Sequence, residues 1–244
     1  MDLICTLDTK ERERNDVSAF SAVQLDETDS VATIRIDDGK VNAFTEELLL
    51  SLSEALDVAV ARDRSALLLG SERCLSAGFD LAVMRKDAGS RKSLVLAGLE
   101  LALKIFESPI PVVVGCTGHA IAAGTLLLLG ADHVVVRDGP AKIGFNETTI
   151  GIELSPFVLE LARYRLLPSA YNQILQGTLC GAEAAHLAGY VDEVVAPGDF
   201  EAHCIDVAHR MAGLDPLSYR LTKEAMRSST ARALRSALDR KRQD

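Results

Sequence analysis

Two short segments rich in glycine and alanine are the first candidates for chemistry in this sequence. One is Ser76-Ala-Gly-Phe-Asp80, and the other is Gly118-His-Ala-Ile-Ala-Ala-Gly124. Because glycine and alanine carry little or no side chain, a backbone N–H in either segment can approach a ligand closely. The second segment also leads into a predicted helix, whose first amides favour negative charge. Two converging amides would form an oxyanion hole, although an ordinary tight turn is the favoured interpretation of each segment taken alone.

Several familiar catalytic and binding motifs are absent from the sequence. It contains no P-loop, no HExxH zinc-protease pattern, no GxSxG esterase pattern and no EF-hand loop. The glycines from Gly115 to Gly124 are spaced G-x-x-G-x-x-x-x-x-G, which differs from the dinucleotide-binding pattern and argues against a nicotinamide or flavin site. The five cysteines are scattered without a CxxC pair, so we predict reduced core residues and no metal site.

The composition predicts one globular domain, or one domain with an appendage. The chain has 244 residues, 48% of them apolar, and a net charge of −9. This acidic balance argues against a nucleic-acid partner, which needs a clustered basic face. The start of the chain lacks the pattern of a secretory signal, and the apolar stretch 120–131 is too short to cross a bilayer. We therefore expect a cytoplasmic protein without a membrane partner.

Strands and helices alternate through the middle of the chain. Strands are predicted at 31–36, 66–69, 111–115 and 134–136, and helices begin after a Thr45 cap and cover 91–107 and about 124–130. After about residue 155 the pattern is helical except for a short strand at 190–195. Residues 1–20 form a polar leader that could be disordered. The order strand, loop, helix indicates an α/β fold whose loops emerge at strand ends, where such folds place ligands.

Four segments, taken together, resemble the crotonase, or enoyl-CoA hydratase/isomerase, superfamily. Ser76-Ala-Gly-Phe-Asp-Leu81 resembles its [FC]-x-A-G-x-D-[LI] loop, and Asp38-Gly-Lys-Val-Asn-Ala-Phe44 resembles its K-x-N-A-[LF] turn. Residues 118–132 resemble its N-G-x-A-x-G-G-G…C-D stretch, and residues 142–151 resemble its F-x-x-P-E-x-x-x-G stretch. The matches lie in family order across about residues 25–195, so the combination is specific although each motif alone is weak.

The resemblance implies an architecture and a ligand. The expected fold is a crotonase-like spiral of ββα units over residues 21–195, with a C-terminal α-helical trimerisation region over residues 196–244. The expected assembly is a homotrimer or a dimer of trimers. The expected ligand is an acyl-CoA thioester, and no separate cofactor is needed because coenzyme A is part of the substrate.

The resemblance also implies roles for individual residues. By position, the oxyanion donors are the N–H groups of Phe79 and Ala123, and the Phe79 side chain would line the acyl tunnel. The pair Ala122-Ala123 replaces two family glycines, which would narrow the approach to the second donor. The positions that border the adenine and pantetheine arm are Val41, Ala43, Ala77 and Leu81. Lys223 is a candidate phosphate contact, although a solvated lysine is the favoured alternative.

The carboxylates distinguish two reactions within the family. Hydratases carry one Glu early in the helix after the second loop and another in the P-E position, whereas this chain has Leu126 and Glu147 there. Hydration needs a group that activates water and a group that delivers a proton to carbon. A shift of a 3-enoyl thioester to a 2-enoyl thioester needs only one base, and Phe145-Asn-Glu-Thr148 resembles the [LF]-N-E-T stretch of Δ3,Δ2-enoyl-CoA isomerases. We therefore predict that Glu147 is the catalytic base, with a pKa raised by burial.

Other interpretations of the same residues remain open at this point. Glu147 could be a surface or capping carboxylate, and Glu153 could face the same pocket, although a solvated position is favoured for it. His119 occupies a position that is commonly aromatic in the family, which favours packing over catalysis. The rival functions are slow hydration by Glu147 alone and a catalytically silent protein that binds acyl-CoA.

Overall fold

The computed structural model describes residues 22–243, so the predicted leader at residues 1–20 lies outside the described residues. The strands in this part of the chain are β1 (Val23–Glu27), β2 (Val31–Ile36), β3 (Ser65–Leu69), β4 (Cys74–Ser76), β5 (Val112–Cys116), β6 (His119–Ile121), β7 (His133–Arg137), β8 (Ile143–Gly144) and β9 (Glu193–Val195). The helices are α1 (Glu46–Ala61), α2 (Leu81–Met84), α3 (Ala88–Glu107), α4 (Thr125–Gly130), α5 (Pro156–Arg165), α6 (Pro168–Leu175), α7 (Ala182–Ala188), α8 (Phe200–Ala212) and α9 (Pro216–Gln243). Two 3₁₀ turns cover Ala122–Gly124 and Glu147–Ile150.

The strands form two sheets, and from β3 to β8 consecutive strands alternate between them. The larger sheet has six strands in the order β1-β2-β3-β5-β7-β9, and the smaller has three in the order β4-β6-β8. Apart from the antiparallel β1–β2 pair, all the pairings between these strands are parallel. In each of the pairs β3–β4, β5–β6 and β7–β8, the first strand joins the large sheet, the second joins the small one, and a helix follows. This repetition is the predicted spiral of ββα units.

The main helices and strands predicted from apolar periodicity are confirmed. Thr45 caps α1, and its side chain accepts a hydrogen bond from the Leu48 N–H, while Glu46 and Glu47 occupy the first turn. The buried face of α1 then repeats at helical spacing through Leu48, Leu49, Leu52, Ala55, Leu56 and Ala59. The continuous apolar run in β3 is buried along its full length.

The central strands of the larger sheet are buried on both faces, which explains why they read as continuous apolar runs. Alternate residues of β3 point to opposite sides: Ala66 and Leu68 join the main core, whereas Leu67 and Leu69 join a second cluster. Helix α8 covers that second cluster through Phe200 and other apolar residues. The segment after residue 196 therefore contributes to the core of its own chain.

Three short strands lie where the sequence predicted only loops. The strands β4, β6 and β8 each contain two or three residues, and together they form the smaller sheet. Segments this short carry no readable periodicity, since a strand is recognised from four or more alternating residues. Their pairing with strands distant in sequence produces the small sheet, which brings the two glycine- and alanine-rich segments side by side.

Candidate active site

A buried asparagine organises the turn between β2 and α1. Asn42 is 0% exposed and adopts a positive φ of 52°, a conformation that asparagine tolerates better than most residues. Its side-chain amide donates to the carbonyls of Ile36 and Cys74, each at 2.9 Å, and its Oδ1 accepts from the Asp38 N–H at 2.9 Å. The Asp38 carboxylate accepts in return from the N–H groups of Asn42 and Ala43. These bonds hold the turn in one shape against the end of β4.

Backbone hydrogen bonds join this turn to the first candidate loop. The Ala77 N–H donates to the Val41 carbonyl at 3.0 Å, and the Phe44 N–H donates to the Gly78 carbonyl at 2.8 Å. The Asp80 N–H then donates to the Phe44 carbonyl at 3.0 Å, which makes a parallel bridge between Phe44 and Phe79. In such a bridge Phe44 bonds to the residues on either side of Phe79. The Phe79 N–H therefore points away from Phe44.

The second candidate loop lies directly against the first. A Cβ added at Gly78 would lie 3.0 Å from the Ile121 carbonyl oxygen and 3.3 Å from the Ala123 amide nitrogen. A Cβ added at Gly124 would collide with the Ser76 carbonyl. Gly78 also has a φ of 91°, so this position needs glycine for both its conformation and its space. The loops that carry Phe79 and Ala123 are thus in van der Waals contact.

The pair Ala122-Ala123 departs from two glycines at a strained point of the second loop. Ala122 has a φ of 53°, in the left-handed region that disfavours a side chain. Its Cβ lies 3.1 Å from the point that a Cβ at Gly78 would occupy. The Ala122 methyl group therefore fills space beside Gly78, next to the candidate donor at Ala123.

The Phe79 side chain packs against helix α3. A Cβ added at Gly98 would lie 2.6 Å from the Phe79 ring, so only glycine leaves room for it. The ring also meets Phe44 edge to face, with centroids 6.4 Å apart. Phe79 remains partly exposed. Its ring packs the first loop against α3. That its exposed edge lines an acyl tunnel stays a prediction.

Glu147 begins the 3₁₀ turn that follows β8. The Ile152 N–H donates to the Glu147 carbonyl at 2.9 Å, and Gly151 ends the turn in a left-handed conformation. The side chain is partly buried, and its Oε2 is enclosed without a hydrogen-bond partner in the described structure. Burial raises the pKa of this carboxyl, while the N–H groups of Glu147 and Asn146 oppose the rise. Such a carboxylate is a stronger base than an exposed one.

Thr125 connects the Glu147 segment to the second loop. It is fully buried, and its hydroxyl lies 2.8 Å from the Ala120 carbonyl oxygen and 3.0 Å from that of Gly144. Gly144 is the last residue of β8, three positions before Glu147. Because the hydroxyl carries one proton, it bridges both carbonyls through a shared donor. This bridge ties the segment that carries the carboxylate to the start of α4.

The other carboxylate and imidazole candidates do not join Glu147. Leu126, at the position of the first hydratase Glu, is 3% exposed and packs in the main core. Glu153 is exposed, as favoured from the sequence. His119 is partly buried, and burial together with Lys142 and Arg73 lowers its pKa, which keeps its ring neutral near pH 7. Among residues 22–243, no group of three His, Cys, Asp or Glu side chains is arranged to hold a metal ion.

The positions predicted to border coenzyme A lie along one rim. Val41 and Leu81 are 49% and 60% exposed, and Ala43 and Ala77 are partly buried between them in the joined turn and loop. Exposed apolar side chains at a loop rim are compatible with contact to a ligand. Their role in binding stays a prediction. Across the described chain, no helix is both long and apolar enough to cross a membrane.

Lys223 lies in a buried ion cluster on α9. It is 8% exposed, so the alternative of a solvated lysine is wrong. Its ammonium lies 2.7 Å from Asp132, whose other oxygen lies 3.0 Å from Arg227. Burial lowers the pKa of Lys223 to about 8, and Asp132 opposes this change. The ammonium anchors α9 to the start of β7. Its contact with a phosphate stays a prediction.

Sequence reasoning missed Tyr190. It is one of the largest fully buried side chains, and its hydroxyl has no hydrogen-bond partner in the described structure. Burial raises its pKa above the usual range, and the charges of Cys180 and Glu147 add to this rise. Tyr190 lies 43 positions after Glu147 in the chain, so no local spacing could have linked the two.

Comparisons with known proteins agree on one family. The family model described as enoyl-CoA hydratase/isomerase matches residues 26–243. The 2,3-dehydroadipyl-CoA hydratase of Escherichia coli K12 is 31% identical over 212 residues, which cover 83% of this chain and 80% of that protein. The human mitochondrial enoyl-CoA delta isomerase 1 is 29% identical over 220 residues, covering 87% and 72%. A solved enoyl-CoA hydratase/isomerase family protein from Pseudomonas syringae superimposes with a TM-score of 0.88 and 34% identity, covering 91% and 97%.

Proposed function

The chain belongs to the enoyl-CoA hydratase/isomerase family, and on that premise we propose that it shifts the double bond of a 3-enoyl-CoA to give a 2-enoyl-CoA. The relatives include a hydratase and an isomerase by name, so the choice between the two reactions depends on this chain's own residues. The proposed acid-base group is Glu147, and the proposed oxyanion donors are the N–H groups of Phe79 and Ala123.

The proposed reaction moves one proton and one double bond. The Glu147 carboxylate removes a proton from C2 of the 3-enoyl thioester, and the electrons of that C–H bond form a dienolate. The negative charge on the thioester oxygen is stabilised by the two amides. Glu147, now protonated, returns a proton to C4, and the double bond moves from C3–C4 to C2–C3. The carboxylate is regenerated, and the step consumes no co-reactant.

The observation that carries this proposal is the isolation of Glu147. Its Oε2 is enclosed and unpartnered, and burial raises its pKa, so it is available as a base. The position that supplies a second acid in hydratases holds the buried Leu126. Hydration would require Glu147 to activate water and protonate carbon with no second carboxylate, whereas double-bond migration needs one group alone.

Isotope labelling separates the proposed activity from its rivals. The protein is incubated with trans-3-enoyl-CoA and with trans-2-enoyl-CoA in deuterated water. The products are separated by chromatography and followed by mass, because the two enoyl isomers have equal mass unless deuterium is incorporated. Isomerisation predicts 2-enoyl product from the first substrate, with deuterium incorporated when the proton on Glu147 exchanges. Hydration would instead add the mass of one D₂O to the second substrate. A protein that binds acyl-CoA but converts neither substrate would contradict the proposal and favour the silent binding protein.

The variant Glu147→Gln tests the assigned base. It preserves the size of the side chain and removes its basicity, so acyl-CoA binding should persist while isomerisation falls by at least about a hundredfold, typical for loss of a general base. Glu153→Gln is the matched control, because Glu153 is exposed and should leave the rate unchanged. Full isomerase activity in Glu147→Gln would contradict the assignment.

We further propose that the chain assembles as trimers or dimers of trimers. Large apolar side chains remain exposed on several helices of the single chain: Leu175, Leu187, Leu217, Leu221 and Met226. Leu217 and Leu221 are one turn apart on α9 and share a face. Light scattering should therefore give three or six times the mass of one chain, and the double variant Leu217→Lys/Leu221→Lys should lower it. A monomer at micromolar concentration would contradict this proposal.

A further inference from the structure

Tyr190 places an unpaired hydroxyl in the interior of the protein. The residue is 0% exposed, and its hydroxyl has no hydrogen-bond partner in the described structure. Buried polar groups are almost always hydrogen-bonded, because an unpaired one is costly relative to its hydration in the unfolded chain. A phenylalanine would fill the same space without that cost. The hydroxyl therefore calls for an explanation beyond packing.

The hydroxyl lies against the strand that leads to Glu147. A Cβ added at Gly144 would lie 3.5 Å from the Tyr190 hydroxyl oxygen, so the phenol reaches the backbone at the end of β8. On the same strand, Ile143 and Cys180 exchange two backbone hydrogen bonds of 2.9 Å and 2.8 Å. The Tyr190 N–H donates to the Ala185 carbonyl at 2.9 Å, which fixes the ring at the end of α7. The backbone of Tyr190 is thus fixed at the end of α7, while its hydroxyl remains unpaired.

Two ionisable groups act on this hydroxyl, Cys180 and Glu147. The Cys180 thiol lies 3.3 Å from the Gln173 side-chain oxygen, and burial raises its pKa, so it stays protonated near pH 7. Glu147 is the carboxyl group of the two, and burial raises its pKa. Its Oε2 is likewise enclosed and has no hydrogen-bond partner in the described structure. An unpaired donor beside Gly144 and an unpaired acceptor three positions further along the same segment therefore both lack a partner.

We propose that Tyr190 is a positioning residue whose hydroxyl donates a hydrogen bond to the ionised Glu147 carboxylate and holds it toward the substrate carbon. This inference rests on the proposed role of Glu147 as the base. The two oxygens are not hydrogen-bonded to each other in the structure. The bond therefore forms when the Glu147 side chain turns about its three torsions to meet the phenol, which itself only reorients its O–H. No proton leaves Tyr190, so the isomerisation remains balanced on Glu147 alone.

The hydrogen bond has a consequence that packing alone would not have. A donor to the charged form stabilises the carboxylate and lowers its pKa, which opposes the effect of burial. Removing the hydroxyl should therefore raise the pKa of Glu147. A charge-assisted hydrogen bond corresponds to a shift of about one pH unit, or a tenfold change in the ionisation equilibrium.

The test is the variant Tyr190→Phe, which removes the hydroxyl and keeps the ring. The titration of Glu147 is followed by carbon NMR in protein labelled at the glutamate carboxyl carbons, and the signal is assigned by its loss in Glu147→Gln. We expect the midpoint to rise by about one pH unit in Tyr190→Phe. Tyr171→Phe is the matched control, since its hydroxyl already donates to the Leu159 carbonyl at 3.2 Å. It should leave the midpoint unchanged.

The kinetic readout is the isomerase assay with a 3-enoyl-CoA over a range of pH. In Tyr190→Phe, kcat should fall about tenfold because the base is less well oriented, while KM changes less than about twofold. The acid limb of kcat/KM should move to higher pH together with the NMR midpoint. A folding defect would lower the amount of active protein without moving either midpoint, and thermal unfolding of the variant checks for it.

The two measurements separate the inference from the function on which it rests. If the parent protein has no isomerase activity but the NMR midpoint rises in Tyr190→Phe, the proposed function fails and the hydrogen bond stands. If the parent is active and the Glu147 midpoint in Tyr190→Phe equals that of the parent and of Tyr171→Phe, the role of Tyr190 is overturned. A midpoint that falls would also overturn it.

Discussion

Replacing Gly78 by alanine should slow the proposed isomerisation much more than a substitution that lowers only the stability of the protein. Gly78 lies between the two loops that carry the proposed oxyanion donors, and its φ is 91°. The new methyl group would lie 3.0 Å from the Ile121 carbonyl oxygen, 3.1 Å from the Ala122 methyl carbon and 3.3 Å from the Ala123 amide nitrogen. These separations are shorter than ordinary van der Waals contact, so the second loop must move by a few tenths of an ångström.

The size of the effect follows from two separate costs. The positive φ costs an alanine about 1–2 kcal/mol in stability. The displaced second loop carries the Ala123 N–H, and complete loss of one oxyanion donor costs about 10²–10³ in rate. Because the amide is moved and not removed, we expect kcat to fall about 10- to 100-fold. The loss should fall on kcat more than on KM, since the donors act mainly on charge that develops in the transition state.

Gly39→Ala provides the matched control. Gly39 has a comparable φ of 73°, and a Cβ there meets no atom within 4 Å, so it bears the conformational cost alone. Urea denaturation should show both variants destabilised, and steady-state kinetics should show a large loss of kcat in Gly78→Ala only. If Gly78→Ala keeps kcat within about twofold of the parent, or if Gly39→Ala loses as much, the placement of an oxyanion donor at Ala123 is refuted.

Three further predictions concern the groups around this site. Asp132→Asn leaves the buried Lys223 and Arg227 without their carboxylate, so urea denaturation should show that the free energy of unfolding falls by about 3–5 kcal/mol. An unchanged free energy of unfolding would contradict the conclusion that Asp132 anchors α9. Asn42→Gly keeps the positive φ but removes the buried side-chain hydrogen bonds to the Ile36 and Cys74 carbonyls. It should therefore lower the free energy of unfolding by about 2 kcal/mol and weaken CoA binding measured by calorimetry. An unchanged affinity for CoA would show that this turn has no part in binding. Folding raises the pKa of Glu147, so ionisation of this carboxyl opposes folding. The melting temperature of Glu147→Gln should therefore equal that of the parent below the ordinary carboxyl pKa and exceed it as pH rises through the raised pKa. A difference in melting temperature that does not depend on pH would contradict this.

The periodic elements and the local motifs were readable from the sequence because their causes are local. Thr45 followed by Glu46 and Glu47 predicts the start of α1, where the structure has it. The apolar run in β3 predicts a strand buried on both faces, and two cores confirm it. The small residues around Gly78 and Gly124 predict close backbone approach, and the structure brings those two loops into contact.

The features that sequence reasoning missed depend on partners far along the chain. The strands of the smaller sheet are too short to carry a pattern, and they exist because each pairs with the next turn of the spiral. Lys223 resembled a surface lysine by its local sequence, but Asp132, 91 positions earlier, draws it into the interior. Tyr190 follows an ordinary helix end, and only the fold places its hydroxyl beside the strand that leads to Glu147.

The sequence by itself determined the family pattern, the alternation of strands and helices, and the choice of one carboxylate with a leucine in place of the second. Tertiary structure alone decided which polar groups lose their water and which charges find a partner. The physical reason is that secondary structure and turn chemistry act over a few neighbouring residues, whereas the burial that raises the pKa of Glu147 is the sum of contacts from every segment that closes around it.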